Sequence, residues 1–161
     1  MRPVYSGKQV TSSMSGSEID RVFMRYRNVA VVGLSKDEGK ESHRVARYLQ
    51  GKGFRIIPVN PTADRILDEK VYPSLTSLPD ELKKSVEIVD IFRPSDAVPP
   101  IVDEAIEMKK KTGMPMVIWM QLGISNEEAA RKAEASGMIV IQDRCMMIEG
   151  ANREDMLKFN I

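Results

Sequence analysis

Short apolar runs alternate along the chain with longer segments in which apolar residues recur every three or four positions. The apolar runs are typical of strands that are buried on both faces of a sheet, and the longer segments are typical of amphipathic helices. The predicted strands are 29–32, 56–59, 86–92, 116–120 and 139–141, and the predicted helices are 17–26, 42–51, 97–111 and 126–136.

Strands that alternate with helices predict βαβ units and a parallel sheet. We therefore expect an α/β protein with a Rossmann-like open parallel sheet of about five strands and helices on both faces. Pro58 argues against complete pairing of the second strand, and Pro99 and Pro100 fit only the first turn of their helix. Segment 66–82 is less regular and predicts a turn-rich connection. Ser17 and Ser125 are the expected N-caps of their helices.

Residues 1–16 are rich in Ser, Gly and Thr and show no periodicity, so they predict a flexible arm before a single domain over 17–161. Lys and Arg number 24 against 23 Asp and Glu, a net charge of +1, which gives no basis for binding nucleic acid. No apolar run approaches the roughly 20 residues of a membrane span, and no secretory signal is apparent. We expect a cytoplasmic protein that binds neither nucleic acid nor membrane.

Candidate chemistry follows the strands, because ligands of open parallel sheets bind outside the carboxyl ends of the strands. The residues at these ends are glycines, amides, hydroxyls and cations, which suit a phosphorylated, adenine-bearing ligand whose phosphates accept backbone N–H bonds at a helix N-terminus. In chain order the candidate site residues are Gly33, Leu34, Ser35, Lys36, Ser42, Asn60, Pro61, Phe92, Arg93, Met120, Gln121, Leu122 and Gly123.

Two features separate this pattern from an NAD-binding fingerprint. The first loop reads Gly-x-Ser-x-x-x-Gly from Gly33, whereas the NAD-type loop is Gly-x-Gly-x-x-Gly. The second strand ends at Asn60 and Pro61, where NAD binding needs an acidic residue for the ribose hydroxyls. A neutral amide tolerates a phosphorylated ribose, which both coenzyme A (CoA) and NADP carry, so this argument leaves both ligands open.

Five motifs in order make the chain resemble the small prokaryotic CoA-binding proteins, a family similar to the CoA-binding domain of the succinyl-CoA synthetase α-subunit. The motifs lie at 29–35, 57–61, 89–93, 119–124 and 143–146, and the resemblance covers roughly residues 20–150. It implies that coenzyme A is the ligand.

The resemblance also implies roles for the candidate residues. Those after the first strand match the phosphate loop, and Asn60 and Pro61 match the turn beside the ligand. Phe92 and Arg93 match a loop that approaches the adenine-ribose end or the pyrophosphate. Residues 120–123 match the Ile-Thr-Glu-Gly stretch of the synthetase, which lines the pantetheine side.

This chain departs from the synthetase pattern in its charges and in its length. The synthetase lysine falls at Ala63, so Lys36, Arg65 or Arg93 must supply the phosphate-binding cation. The phosphohistidine and the second domain of the synthetase have no counterpart, and the single histidine is His43.

We therefore predict non-catalytic binding of CoA or an acyl-CoA and no enzyme activity of the chain alone. The alternatives are an NAD(P)-dependent oxidoreductase and a regulatory subunit that senses CoA. The sequence leaves open whether the chain forms a homodimer or binds another protein. It also leaves open whether Ser42 caps its helix or contacts the ligand. We interpret His43 as a first-turn surface residue and Cys145 as a small buried residue. A mixed disulfide between Cys145 and the thiol of bound CoA stays open as the alternative.

Overall fold

The fold is seen in a computed structural model that describes the backbone of residues 7–158 and the side chains of residues 16–158. Its five main strands are all parallel and lie within one or two residues of the predicted positions, except that the third is shorter. They are β1 (Asn28–Val32), β2 (Arg55–Val59), β5 (Ile88–Ile91), β6 (Val117–Met120) and β7 (Ile139–Ile141), with a small antiparallel hairpin, β3 (Arg65–Ile66) and β4 (Glu69–Lys70), between β2 and β5.

The sheet has the strand order β2-β1-β5-β6-β7. The chain builds outward from β1 to β2, crosses back over β1 to β5, and then builds outward in the other direction. A parallel sheet opens a crevice where the direction of winding changes, which here lies between β1 and β5. Pro58 lies on the edge strand β2, where its missing N–H costs least, and its carbonyl accepts the N–H of Tyr72. The predicted Rossmann-like α/β fold is confirmed.

Helices cover both faces of the sheet and make two separate cores. Phe23, Leu49, Trp119 and Met146 belong to the core on one face, and Val102, Ala133, Ile118 and Met120 belong to the core on the other. The helices are α1 (Gly7–Arg25), α2 (Glu41–Gly51), α3 (Asp80–Ser85), α4 (Val98–Thr112), α5 (Glu127–Ala135), α6 (Met146–Ala151) and α7 (Glu154–Lys158). Among the described residues, no helix is both long and apolar enough to span a bilayer.

Several helix boundaries differ from the prediction. Helix α1 begins at Gly7, so Ser17 lies inside it and does not cap it. The described part of the predicted arm is therefore helical, and residues 1–6 lie outside the described residues. Asn126, not Ser125, caps α5, because its side chain accepts the N–H of Ala129 at 3.0 Å. The N–H of Ser125 is held instead by the Ser95 hydroxyl, a contact across 30 positions that local sequence does not reveal.

Asp90 is a carboxyl group in the middle of the central strand. It lies between Val31 on β1 and Trp119 on β6 in the register of the sheet and is fully buried. Neither of its oxygens has a hydrogen-bond partner among the described residues. Burial raises the pKa of this carboxyl well above its ordinary value, because an unpaired charge in an apolar core is strongly destabilising.

We expect Asp90→Asn to change the pH dependence of stability. In the unfolded chain the Asp90 carboxyl has a pKa of about 3.9, and in the folded chain its pKa is higher. At a pH between these two pKa values, the chain therefore releases a proton when it unfolds. The free energy of unfolding of the wild type should therefore fall as pH rises from about 4 toward neutral, by up to about 1.4 kcal/mol per pH unit. The variant should lack this component in urea titrations at several pH values.

The matched control is Asp103→Asn, which alters an exposed carboxylate paired with Lys132. The difference in the free energy of unfolding between this variant and the wild type should vary little over the same pH range, because exposed ion pairs contribute little to stability. Parallel pH profiles for wild type and Asp90→Asn would contradict the assignment of a buried, protonated Asp90.

Candidate functional site

The carboxyl ends of β1 and β5 meet at Gly33, directly after β1. Gly33 has φ +90°, and a Cβ atom there would lie 2.6 Å from the carbonyl oxygen of Phe92 and 2.9 Å from Cδ of Arg93. Its N–H donates to the carbonyl of Val59 at 2.9 Å. Only glycine fits this position, since it needs both the left-handed conformation and the empty space. The loops after β1, β2 and β5 are thereby drawn together.

The loop after β1 is held by its own hydrogen bonds. The N–H of Ser35 donates to the hydroxyl of Ser42 at 3.0 Å, the N–H of Asp37 donates to the hydroxyl of Ser35 at 3.0 Å, and the N–H of Gly39 donates to Asp37 Oδ1 at 2.9 Å. Ser42 is therefore not a helix cap: α2 begins after Lys40, and Ser42 fixes the loop from inside the first turn. These three amides already have acceptors within the loop.

His43 is buried, with 6% of its surface exposed, so its interpretation as a surface residue is wrong. Its Nδ1 lies 2.9 Å from the carbonyl oxygen of Ser35. Because a carbonyl only accepts, this contact places the proton on Nδ1. The residue fastens the loop after β1 to the start of α2, and helical spacing alone could not show that the loop folds over it.

Asn60 joins the turn after β2 to the loop after β1. Its Nδ2 donates to the carbonyl of Leu34 at 2.7 Å, and its Oδ1 accepts the N–H of Thr62 at 2.7 Å and the hydroxyl of Thr62 at 2.9 Å. An aspartate here would place a carboxylate oxygen against the Leu34 carbonyl oxygen. The hydrogen bond to Leu34 thus favours an amide at position 60. This reason is independent of the accommodation of a phosphorylated ribose by a neutral side chain.

Two of the three candidate phosphate-binding cations stand at this edge with their charges unpaired. Lys36 and Arg93 are exposed, and neither forms an ion pair or a side-chain hydrogen bond with any residue between 16 and 158. Arg65, the third candidate, donates to the carbonyl of Asp68 within the β3–β4 hairpin. The geometry therefore leaves Lys36 and Arg93 available to an anion and gives Arg65 a local partner.

A cavity of about 280 Å³, which we call the β2-side pocket, opens beside the ends of β1 and β2. It is bounded by the loop after β5, by the connection before α3 and by the first turns of α4. Six of its lining residues are Gly33, Val59, Pro61, Leu75, Arg93 and Ile101. Sequence reasoning missed Leu75 and Ile101, because they reach this edge only through the crossing of the chain from β2 to β5.

A second cavity of about 210 Å³, the β6-side pocket, lies beside the ends of β5 and β6 and the start of α6. Phe92, Gln121 and Leu122 were expected at the site, whereas Ile124 and Ile148 were not. The pocket is also lined by Glu41 and Cys145, and Cys145 is buried as we expected. Ile148 belongs to α6, a helix too short to have given a clear periodic signal.

The predicted site residues thus divide into three groups, with Lys36 standing apart from them. Some line the two pockets, namely Gly33, Pro61, Arg93, Phe92, Gln121 and Leu122. Others shape the loops, namely Ser35, Ser42, Asn60 and Gly123, whose N–H donates to Asp143 Oδ1. The side chains of Leu34 and Met120 are fully buried in the two cores, and Lys36 extends from the first loop.

The sequence of this chain is similar to those of several known proteins. The family model described as "CoA binding domain" matches residues 27–151. The uncharacterized protein YneT of Bacillus subtilis is 38% identical over 137 residues, which cover 85% of this chain and 95% of YneT. The acetate–CoA ligase [ADP-forming] II of Archaeoglobus fulgidus is 31% identical over 134 residues, which cover 81% of this chain but only 19% of the ligase.

Solved structures agree with the sequence comparison. A hypothetical protein from Pyrococcus horikoshii superposes with a TM-score of 0.76 at 32% identity, covering 85% of this chain and 90% of that one. A dinucleotide-forming acetyl-coenzyme A synthetase 1 from Ca. Korarchaeum cryptofilum superposes with a TM-score of 0.59 at 29% identity, covering 76% of this chain and 26% of that one. The match over residues 27–151 includes the whole five-stranded sheet, and the chain belongs to the CoA binding domain family.

Proposed function

We propose that this chain binds coenzyme A or an acyl-CoA along the carboxyl edge of its sheet and does not catalyse a reaction on its own. The observation that carries the proposal is the pair of pockets on either side of the loop after β5. Arg93 lines the β2-side pocket, and the preceding residue, Phe92, lines the β6-side pocket. Both pockets are smaller than the roughly 300–1,000 Å³ that buries a drug-sized ligand. A long ligand with a different group at each end suits this arrangement.

In this proposal the nucleotide occupies the β2-side pocket and the pantetheine arm runs toward the β6-side pocket. The adenine would contact the apolar groups of Val59, Leu75 and Ile101. The phosphates would lie near Arg93 and Lys36, two exposed cations whose charges are otherwise unpaired. Membership of the CoA binding domain family supports CoA as the ligand.

The chain spans only 19% of the length of the A. fulgidus ligase that it matches, so the activity of that enzyme is not transferred to this chain. One observation supports binding without catalysis. His43, the single histidine, is buried and its Nδ1 is engaged by the Ser35 carbonyl. In this state it is a structural link between loop and helix.

CoA should stabilise the protein against unfolding, because a ligand that binds only the native state shifts the unfolding equilibrium. At 100 times its dissociation constant, CoA should add about 2.7 kcal/mol to the free energy of unfolding, seen as a higher melting temperature. NAD at the same concentration should have little effect, and NADP tests whether a ribose phosphate alone suffices. Calorimetric binding of NAD that is tighter than that of CoA would contradict the proposal.

Lys36→Ala or Arg93→Ala should each weaken CoA binding by about 1–3 kcal/mol, the range for hydrogen bonds to charged groups and for the loss of their partners. Stability without ligand should barely change, because exposed cations contribute little to folding. Titration calorimetry with CoA and dephospho-CoA separates two roles of Arg93. Loss of affinity for CoA alone places it at the ribose 3′-phosphate, and equal loss for both ligands places it at the pyrophosphate.

The matched control is Lys111→Ala, an exposed lysine in the last turn of α4, away from the carboxyl edge. Its affinity for CoA should equal that of the wild type. If Lys36→Ala and Arg93→Ala also bind as the wild type does, backbone amides carry the phosphates and the assignment of these two cations fails.

A further inference from the structure

Gln121 presents an unpaired amide donor to the β6-side pocket. The side chain is buried, with 2% of its surface exposed, and its Oε1 accepts the N–H of Met146 at 3.1 Å. Because a backbone N–H can only donate, this bond fixes the amide with its oxygen toward α6. Within residues 16–158, Nε2 makes no hydrogen bond, and it is not among the fully enclosed atoms that lack a partner. Nε2 therefore keeps some exposed surface, and we assign this surface to the β6-side pocket because Gln121 lines that pocket.

The walls around this donor are apolar, and two of them are unusually exposed. Phe92 and Ile124 line the pocket, and Leu122 and Ile148 at its mouth are 64% and 51% exposed. A ligand that covers an exposed aliphatic side chain removes apolar surface from water, which favours binding. A pocket of about 210 Å³ has room for the end of a ligand and not for a long chain. The donor and its surroundings suit a carbonyl group that carries a short apolar tail.

We propose that the β6-side pocket binds the acyl group of a short-chain acyl-CoA, with Gln121 Nε2 donating to the thioester carbonyl oxygen. This inference rests on the proposed function, and it names the form of CoA that the site prefers. The acyl carbons would contact Phe92, Leu122 and Ile148. Free CoA ends in a thiol, which is a weak acceptor, so it leaves the buried donor without a good partner.

The charge at the rim limits which acyl group is favoured. Glu41 lines the pocket and is exposed, and its carboxylate pairs with Arg44 one turn along α2. A carboxylate on the acyl group of the ligand would lie close to the Glu41 carboxylate and be repelled by it. Uncharged acyl groups of two to four carbons should therefore bind better than a dicarboxylic acyl group of equal length.

The first experiment compares ligands by titration calorimetry on the full chain. Acetyl-CoA should bind about 3- to 10-fold tighter than CoA, the gain from one satisfied hydrogen bond. Butyryl-CoA should bind tighter again, by up to about fourfold for each methylene buried. Succinyl-CoA, which matches butyryl-CoA in carbon number, should bind more weakly than butyryl-CoA, and palmitoyl-CoA should gain nothing further over butyryl-CoA.

The second experiment removes the donor and keeps the other bond of residue 121. Gln121→Glu retains an oxygen for the Met146 N–H but replaces Nε2 with an acceptor. The ratio of CoA to acetyl-CoA dissociation constants should fall toward one. Gln142→Glu is the matched control, because its side chain bonds to Asn126 and Glu127 outside the pocket, and it should leave the ratio unchanged.

A third variant covers the case in which Gln121→Glu fails to fold. Ile148→Ala truncates an exposed side chain at the mouth of the pocket. It should reduce the preference for butyryl-CoA over acetyl-CoA without affecting the folded state, as judged by its melting temperature.

The outcomes separate this inference from the proposed function. Measurable CoA binding with equal or weaker binding of acetyl-CoA and butyryl-CoA overturns the inference and leaves CoA binding intact. Equal weakening of CoA and acyl-CoA by Gln121→Glu assigns the donor to a pantetheine amide and also overturns it. A disulfide between CoA and Cys145, formed with dissolved oxygen as the two-electron oxidant, detected by mass and lost in Cys145→Ser, would place the free thiol in the pocket and overturn the inference. Failure of CoA and of every acyl-CoA to bind overturns both proposals.

Discussion

No side chain fits at residue 33, and the geometry of the carboxyl edge depends on that constraint. The close approach of Gly33 to the Phe92 carbonyl brings the ends of β1 and β5 together where the winding of the sheet reverses. Phe92 and Arg93 are then held on opposite sides of one short loop, where they line different pockets. A Cβ atom would push these loops apart and would change the relative positions of Phe92 and Arg93, which line the two pockets.

The loop after β1 differs physically from a glycine-rich phosphate loop. Its amides at Ser35, Asp37 and Gly39 are taken up by acceptors within the loop, and Asn60 and His43 clamp it from two sides. Such a loop is rigid, and these amides are not free for a phosphate. Binding of an anion would therefore draw more on charged side chains, whose contribution is sensitive to salt.

Two buried polar side chains near the edge depart from the usual rule that such groups are fully paired. Asp90 lacks any partner among the described residues, and Gln121 uses its oxygen but not its nitrogen. By strand alternation Asp90 faces the same side of the sheet as Phe92, two residues further on. Exceptions of this kind concentrate at functional sites, where a local cost to stability is tolerated. Of the two, Gln121 lines the β6-side pocket, which is consistent with that expectation.

Sequence by itself was sufficient to predict the five strands, the parallel sheet and the loops that would meet at its edge. Apolar runs and helical spacing are local signals, and parallel strands necessarily end at one edge. It was also sufficient to predict that Gly33, Arg93, Phe92 and Gln121 would lie near that edge. The expectation that CoA is the ligand came from the resemblance of the sequence to CoA-binding proteins.

Tertiary structure alone decided how each group is used, because that depends on contacts between distant parts of the chain. Ser42 and His43 became loop clamps once the preceding loop folded over them, and the side chains of Leu34 and Met120 turned into the two cores. Ile148 reached the site because α6 packs beside the end of β6. No periodicity encodes which of two polar groups finds a partner, so the free nitrogen of Gln121 is visible only in the folded protein.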